Sequence, residues 1–407
     1  MLRRLIVLVH RYVGLTMAIF LVIAGLTGSL LVWFGEIDAA INPGWLKVEA
    51  PTTESRQIDP LTLRQIVLER YPGTSIHYLS LNAPADRAAV FWLQPGEGPP
   101  PADDTVFVNP YSGEILGSRH YGDISQGLHN LAPFIYELHR SLALGKLGTL
   151  LLGIVALLWT ADCFAGAWLT LPAAARRPET RGWRAWLQRW WPAWKLRWSA
   201  GNYKRNYDLH RAGGLWPWML LFVFAWSSVA FNLPEVYVPV MDALFERQPE
   251  PRKLAPRLPQ AQKQPGMAWP EALARARQLV AEESRQHGFS IHEESSLRYD
   301  PRSAVFHYRV RSDLDVNEKR GNTTIVFAAN DGRLLGNYLP TGQASGDTVT
   351  TWLLTLHLAH LWGLPYRIIV TLIGLLTALL AITGVYIWWK KRCARMRKQS
   401  CLTTHNA

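Results

Sequence analysis

Four of the twelve histidines in this 407-residue chain stand at the margins of apolar runs, and they come in repeated pairs. His10 opens the segment HRYVGL and His210 opens HRAGGL in the second half of the chain; His139 lies in LHRSLALG and His357 in LHLAHLWG, at a similar offset. A neutral imidazole is the commonest nitrogen ligand for a metal. An ionisable side chain at membrane depth is costly, and its presence there points to function. With His10 and His210 near one membrane face and His139 and His357 near the other, the chain offers two imidazoles per leaflet. That is the requirement of two bis-histidine haem sites, each iron taking one nitrogen from each of two helices. The alternative is four interfacial histidines that pack and hydrogen-bond to backbone.

Neighbouring residues refine the pairs. Gly14 and Gly214 follow His10 and His210 by four residues, one turn on along the same helix face, where a missing side chain lets a flat macrocycle approach the backbone. Gly145 and Gly363 fall on a different face from the outer histidines and are not assigned to haem contact. His360 lies three residues after His357 on its face, so either is a candidate for the outer iron. The repeat favours His357, because His360 aligns with Leu142, and His129 is held in reserve. A close His357/His360 pair is also a candidate for a bare metal ion.

These histidines need helices to hold them. The chain is 49% hydrophobic, yet its mean hydropathy is −0.01, so apolar residues are concentrated in stretches. Residues 5–34, 147–171, 215–233 and 362–389 are each long enough to cross a hydrocarbon layer of roughly 30 Å, which takes about 20 helical residues. Short basic loops stay cytoplasmic. Arg3, Arg4 and Arg11 mark the start of the first run, nine Lys or Arg residues fill 173–208, and Lys390, Lys391, Arg392, Arg395, Arg397 and Lys398 follow the last. Both termini therefore belong in the cytoplasm, and the +12 net charge reflects topology rather than a nucleic-acid footprint. A cleaved signal peptide ending near Asp38-Ala39-Ala40 is the competing reading of the N-terminus, although the apolar run exceeds a signal core.

The repeat extends to the loops. TVFVNPYSGEILG (residues 105–117) aligns with TIVFAANDGRLLG (residues 324–336), so each half reads span, exported domain, span. Helical spacing of apolar residues predicts helices over 60–71 and 269–287. Alternation predicts strands over 75–81, 88–94 and 105–108 in the first half and 295–299, 304–310 and 323–328 in the second, with final short strands at 114–116 and 333–335. The expected fold class is a membrane α-helical protein, four transmembrane helices from a tandem duplication with two periplasmic α+β domains, each one helix on its own antiparallel sheet. The expected segments are span 1 (1–34), exported domain 1 (35–143), span 2 (144–171), a Trp/Arg-rich cytoplasmic loop (172–208), span 3 (209–233), exported domain 2 (234–355), span 4 (356–389) and a cytoplasmic tail (390–407).

Other chemistries find no support. Cys163, Cys393 and Cys401 all fall at or beyond cytoplasmic span ends, so no exported disulfide is expected. No C-x-x-C-H occurs, so a haem here is b-type, held by ligation and packing. No G-x-G-x-x-G, nucleophile motif or paired-carboxylate signature occurs. The loop's Trp183, Trp186, Trp190, Trp191, Trp194 and Trp198 alternate with Arg184, Arg189, Lys195 and Arg197 as in a segment lying in lipid headgroups. It is either a membrane anchor or a docking floor for an electron donor such as a reduced flavin or flavoprotein. Trp159, Trp168, Trp216, Trp218 and Trp226 lie in the spans as anchors, packing residues or part of an electron route.

The runs LHRSLALGKLGTLLLGIVALLWTADCFAGAWLTLP, YDLHRAGGLWPWMLLFVFAWSSVAFNLPEVY and LWGLPYRIIVTLIGLLTALLAITGVYIWWKK resemble the PepSY-associated transmembrane family, over nearly the whole chain. The likeness is nearest to ferrisiderophore reductases of the FoxB type. It implies PepSY-like exported domains, two haems b on His10, His210, His139 and His357, and electron transfer across the inner membrane to ferric siderophores in the periplasm, releasing ferrous iron. His360 departs from the family pattern. The rival functions are a membrane-anchored binding module with no haem, and a cytochrome b subunit serving another acceptor.

Overall fold

The computed structural model describes residues 1–50, 52, 55–173 and 182–405, with side chains through Arg397. Arg176, Arg177 and Arg181 of the basic loop, and the side chains of Lys398 and Cys401, lie outside the described residues. In the first half the elements are α1 (Leu2–Leu31), α2 (Phe34–Ile41), α3 (Pro43–Leu46), α4 (Pro60–Arg70), β1 (Thr74–Ser75), β2 (Tyr78–Ser80), β3 (Ala89–Trp92), β4 (Gln94–Pro95), β5 (Thr105–Val108), β6 (Ile115–Arg119), α5 (Leu131–Ser141) and α6 (Gly145–Thr170). In the second half they are α7 (Trp183–Trp190), α8 (Asn202–Leu215), α9 (Trp218–Asn232), α10 (Pro234–Leu244), α11 (Trp269–His287), β7 (Ile291–Asp300), β8 (Val305–Ser312), β9 (Thr323–Ala328), β10 (Leu334–Tyr338), α12 (Ser345–His357) and α13 (Gly363–His405). Two compact units divide the chain: a helical one of Met1–Val32, Tyr136–Val238 and Gly363–Ala407, and a strand-bearing one of Trp33–Ile135 and Pro239–Trp362.

In the helical unit, α1, α6 and α13 are each long and apolar enough to cross a membrane, and α8 with α9 make a fourth candidate if that bent pair is one span. Lipid supplies no hydrophobic drive between helices, so close packing rests on small residues. Gly25 and Ser29 of α1 face Gly374 and Ala378 of α13; a Cβ on Gly25 would meet the Gly374 carbonyl oxygen at 2.5 Å. Ser29 Oγ donates to the Thr371 carbonyl across that crossing at 2.9 Å. A Cβ on Gly153 of α6 would meet the Leu233 side chain at 2.5 Å, just beyond α9. Each helix of one half thus packs with a helix of the other.

Two expectations for this unit need correction. His210 and the apolar run 215–233 do not share one straight helix, because α8 and α9 meet at 69°. Pro217 stands at the break; it has no N–H to donate and its ring crowds the preceding turn, which hydropathy does not register. Likewise α5 stops at Ser141 and α12 at His357, each separated from the span helix that follows by residues with positive φ. Gly145 and Gly363 both have φ of +56° where α6 and α13 begin, so these repeated glycines serve the chain break. His139 and His357 therefore stand on helices that end before the spans.

The strand-bearing unit corrects the picture of two self-contained sheets. Its largest sheet runs β10-β9-β8-β7-β2, wholly antiparallel, so a strand of the first half completes the sheet of the second. Leu79 pairs with Leu297, its own equivalent in the second copy of the repeat, and both are fully buried. The pairing places a local two-fold between the halves, like an isologous contact within one chain. Helices α4 and α11 both feed the same core, Leu63 and Val67 joining Ala272, Leu273, Ala276, Leu279 and Val280. The remaining first-half strands form β3-β5-β6 and a short β1-β4 pair. Asp59 caps α4 by accepting from the amides of Leu61 and Thr62, with Pro60 at the first turn.

Candidate functional site

The helical unit brings His10 of α1 and His210 of α8 together, ring centroids 6.1 Å apart and planes inclined by 58°. Two imidazoles sharing one metal through nitrogen bonds of about 2 Å have centroids roughly 6 Å apart, given the size of the ring. Each ring is tied at Nδ1. His10 Nδ1 lies 2.8 Å from Asp162 Oδ1 of α6. His210 Nδ1 lies 3.0 Å from the Leu380 carbonyl of α13 and 3.2 Å from Thr383 Oγ1, whose own hydroxyl donates to Leu379 at 2.8 Å. Carboxylate and carbonyl oxygens only accept, so both rings carry their proton on Nδ1 and present the Nε2 lone pair. A histidine that binds a metal is held in this way by its second nitrogen.

His139 is prepared alike at the other end of α1. Thr27 Oγ1 donates to the Ile23 carbonyl at 2.6 Å and lies 3.0 Å from His139 Nδ1, so the oxygen is left to accept from the ring. Thr27 follows His10 by seventeen residues, about 25 Å along a helix rising 1.5 Å per residue. Glycines, none of them singled out by the sequence reading, flank all three rings: a Cβ on Gly166 would meet His10 Cε1 at 3.4 Å, on Gly384 His210 Cε1 at 3.1 Å, and on Gly28 His139 Cε1 at 3.0 Å. The signal for two of them is the repeat itself, because Gly166 and Gly384 stand in the same register of the duplication as His139 and His357. Gly14 and Gly214 touch no imidazole. A Cβ on Gly14 would meet nothing within 4 Å, and on Gly214 only the Leu380 methyls at 4.0 Å, so neither glycine backbone is crowded by a neighbour.

The tryptophan loop is anchored to this end of the helical unit. Trp186, Trp190 and Trp194 form a ladder with centroids 5.1 Å apart at each step. Trp190 Nε1 donates to Thr170 Oγ1 at 3.1 Å, Trp216 Nε1 to the Trp194 carbonyl at 3.1 Å, and Arg211 to the Pro192 carbonyl at 2.7 Å. Asp208, fully buried one turn before Arg211, pairs with Arg197 at 2.6 Å and Arg211 at 3.0 Å. Trp183, Trp191 and Trp198 remain exposed. Of the span tryptophans, Trp218 donates to the Cys163 carbonyl at 2.8 Å and stacks on Phe222, and Trp168 lies under Arg3.

His357, His360 and His129 belong to the strand-bearing unit, so the outer pair His139/His357 is not a feature of either unit alone. His360 Nδ1 lies 3.3 Å from Asn317 Nδ2, and its carbonyl accepts from the Glu318 amide at 2.9 Å, a role in fastening the β8–β9 loop. His129 packs its ring on Trp45, centroids 5.0 Å apart, and its carbonyl accepts from Arg119 and Asn42. Arg119 also holds Asp38 at 2.9 and 2.8 Å, both side chains almost fully buried, so the Asp38-Ala39-Ala40 segment is part of a packed helix. Among the described residues no group of three or more His, Cys, Asp or Glu side chains is disposed to hold a metal ion, which leaves the bare-metal alternative at His357/His360 without a third ligand of those types.

The class these features define is a membrane protein of duplicated helices with half-buried imidazoles oriented between them. The chain belongs to the PepSY-associated TM region family, whose pattern it matches over residues 7–391. Comparison with curated proteins gives no match.

Proposed function

We propose that this chain is a dihaem b-type electron-transfer protein of the bacterial inner membrane, with both termini cytoplasmic, that reduces ferric siderophores in the periplasm. The supporting observation is the His10/His210 pair: two imidazoles from repeat-equivalent positions, 6.1 Å apart in the membrane helices, each with Nδ1 engaged. The donor set fits haem, since neutral imidazoles on facing helices suit iron and no neighbouring atom crowds the backbone at Gly14. The sequence repeat favours His139 and His357 for the second axial pair; His360 accepts at Nδ1 from the Asn317 amide, which leaves its proton on Nε2 and no lone pair there.

Held between such imidazoles, a haem supplies a one-electron ferric/ferrous couple. The chain's own residues fix the rings through Asp162, Leu380, Thr383 and Thr27, and the apolar helices exclude water. One electron leaves a reduced flavin or flavoprotein on the cytoplasmic side, where the exposed Trp183, Trp191 and Trp198 offer a docking surface, and one Fe³⁺ in the chelate becomes Fe²⁺. No covalent bond is made or broken in the protein. Dithionite-reduced protein mixed with a ferric siderophore tests this: the haem spectrum reoxidises as a ferrous trap colours. Reduced haem that stays reduced overturns the siderophore reading and leaves a cytochrome b with another acceptor.

One observation favours a ligand-binding role for the strand-bearing unit. A cavity of about 310 Å³ is lined by Arg64, His77, Lys263 and Trp269, with no acidic residue in its wall. Arg64 stacks over Trp269 at 4.3 Å, and burial pushes its guanidinium down to about 10. A colourless, haem-free preparation that still binds small anions would favour the binding-module reading.

A further inference from the structure

The duplication is broken at one position of the inner pair. Asp162 and Leu380 occupy equivalent positions of the repeat, in the same register that relates Gly166 to Gly384. Each supplies the acceptor for an Nδ1–H: His10 meets a carboxylate oxygen at 2.8 Å, His210 a backbone carbonyl at 3.0 Å. Asp162 is the lone acidic residue in α6, and its side chain is 11% exposed. A carboxylate at that depth is expensive unless something compensates it, and simple orientation of a ring needs no charge, as Leu380 demonstrates for His210.

We propose that Asp162 is a positioning residue that makes the two imidazoles of the inner pair inequivalent and favours the oxidised state of an iron bound there. This rests on the haem reading above. Ferric iron in a dianionic porphyrin with neutral imidazoles carries one net positive charge and ferrous iron none. A carboxylate one ring away therefore stabilises the ferric form, and by drawing on Nδ1–H it makes His10 a stronger donor. Asp162 would thereby lower the couple of a haem held on His10 and His210, and a lower inner couple would favour passing its one electron to an acceptor of higher potential, which would be reduced as the inner iron is oxidised.

Potentiometric titration of the full-length purified protein, followed in the reduced haem bands, tests the proposal. Asp162→Asn keeps an oxygen acceptor and removes the charge. It should retain two haems and raise one midpoint by about tenfold in equilibrium constant, about 59 mV for one electron, leaving the other unmoved. Thr160→Val, two residues before Asp162 in α6 with its hydroxyl on the Ala156 carbonyl at 2.8 Å, should move neither. Two retained haems with both midpoints unchanged in Asp162→Asn, or a shift no larger than that of Thr160→Val, overturns the proposal. If Asp162→Asn sheds the inner haem, Asp162→Glu must restore it at a midpoint close to wild type, and failure to do so overturns the proposal as well. Absence of haem from the wild type would instead overturn the reading beneath it.

Discussion

In the strand-bearing unit the duplicated halves meet at Leu79 and Leu297, and in the helical unit they meet at His10 and His210. Both are near-equivalent residues brought face to face by a local two-fold, yet they do opposite things. The leucines fill a core that α4, α11 and the sheet share, and packing explains them completely. The imidazoles are polar, sit among apolar helices, and have Nδ1 satisfied by Asp162 and by the Leu380 carbonyl. Duplication supplies symmetry in both places, but in the second it sets polar rings against each other, which core packing alone does not explain.

Replacing the imidazoles should have the largest effect. His10→Ala or His210→Ala is expected to halve the haem content measured as pyridine haemochrome; two haems per chain in either variant would remove the contrast between the pairs. Next comes Gly28→Leu, whose Cβ alone would stand 3.0 Å from His139 Cε1. It should cost the outer haem and spare the inner one, separable by their reduced bands. At the other axis, Leu79→Ala or Leu297→Ala should destabilise the strand-bearing unit by about 2–5 kcal/mol, the usual cost of such a cavity. Chemical denaturation measures it, and haem content should not change.

The smallest effect belongs to pH. Arg277 first, and then the Tyr308 hydroxyl, hold the Glu294 carboxyl below its ordinary 4.5. A depressed carboxyl stabilises the fold above its unfolded pKa and loses that contribution as pH falls through the folded one. Thermal melts of wild type and Glu294→Gln should therefore differ at neutral pH and converge below about pH 4.5; a gap that persists at low pH would show that the Arg277 pairing contributes nothing titratable.

Local pattern carried much of this into the sequence. Helix α11 and strands β5 and β9 fall where periodicity puts them, because amphipathic faces against one core leave a plain alternation. What did not show were non-local choices. Nothing in the run 75–81 says that Tyr78–Ser80 pairs with β7 rather than a neighbour, since a strand's partner is set by the whole core. Pro217 was visible but lay inside an apolar window that reads continuous. Gly14 and Gly214 drew attention by lying near histidines in sequence, whereas the rings rest on Gly166, Gly384 and Gly28 of other helices. Asp162 was the residue most open to discovery, as an acid inside a span.

The most direct test is the visible spectrum and haem stoichiometry of the purified wild-type chain. A Soret band with sharp reduced α-bands and two non-covalent haems b per chain is the expected result. A colourless protein with no extractable porphyrin would contradict it.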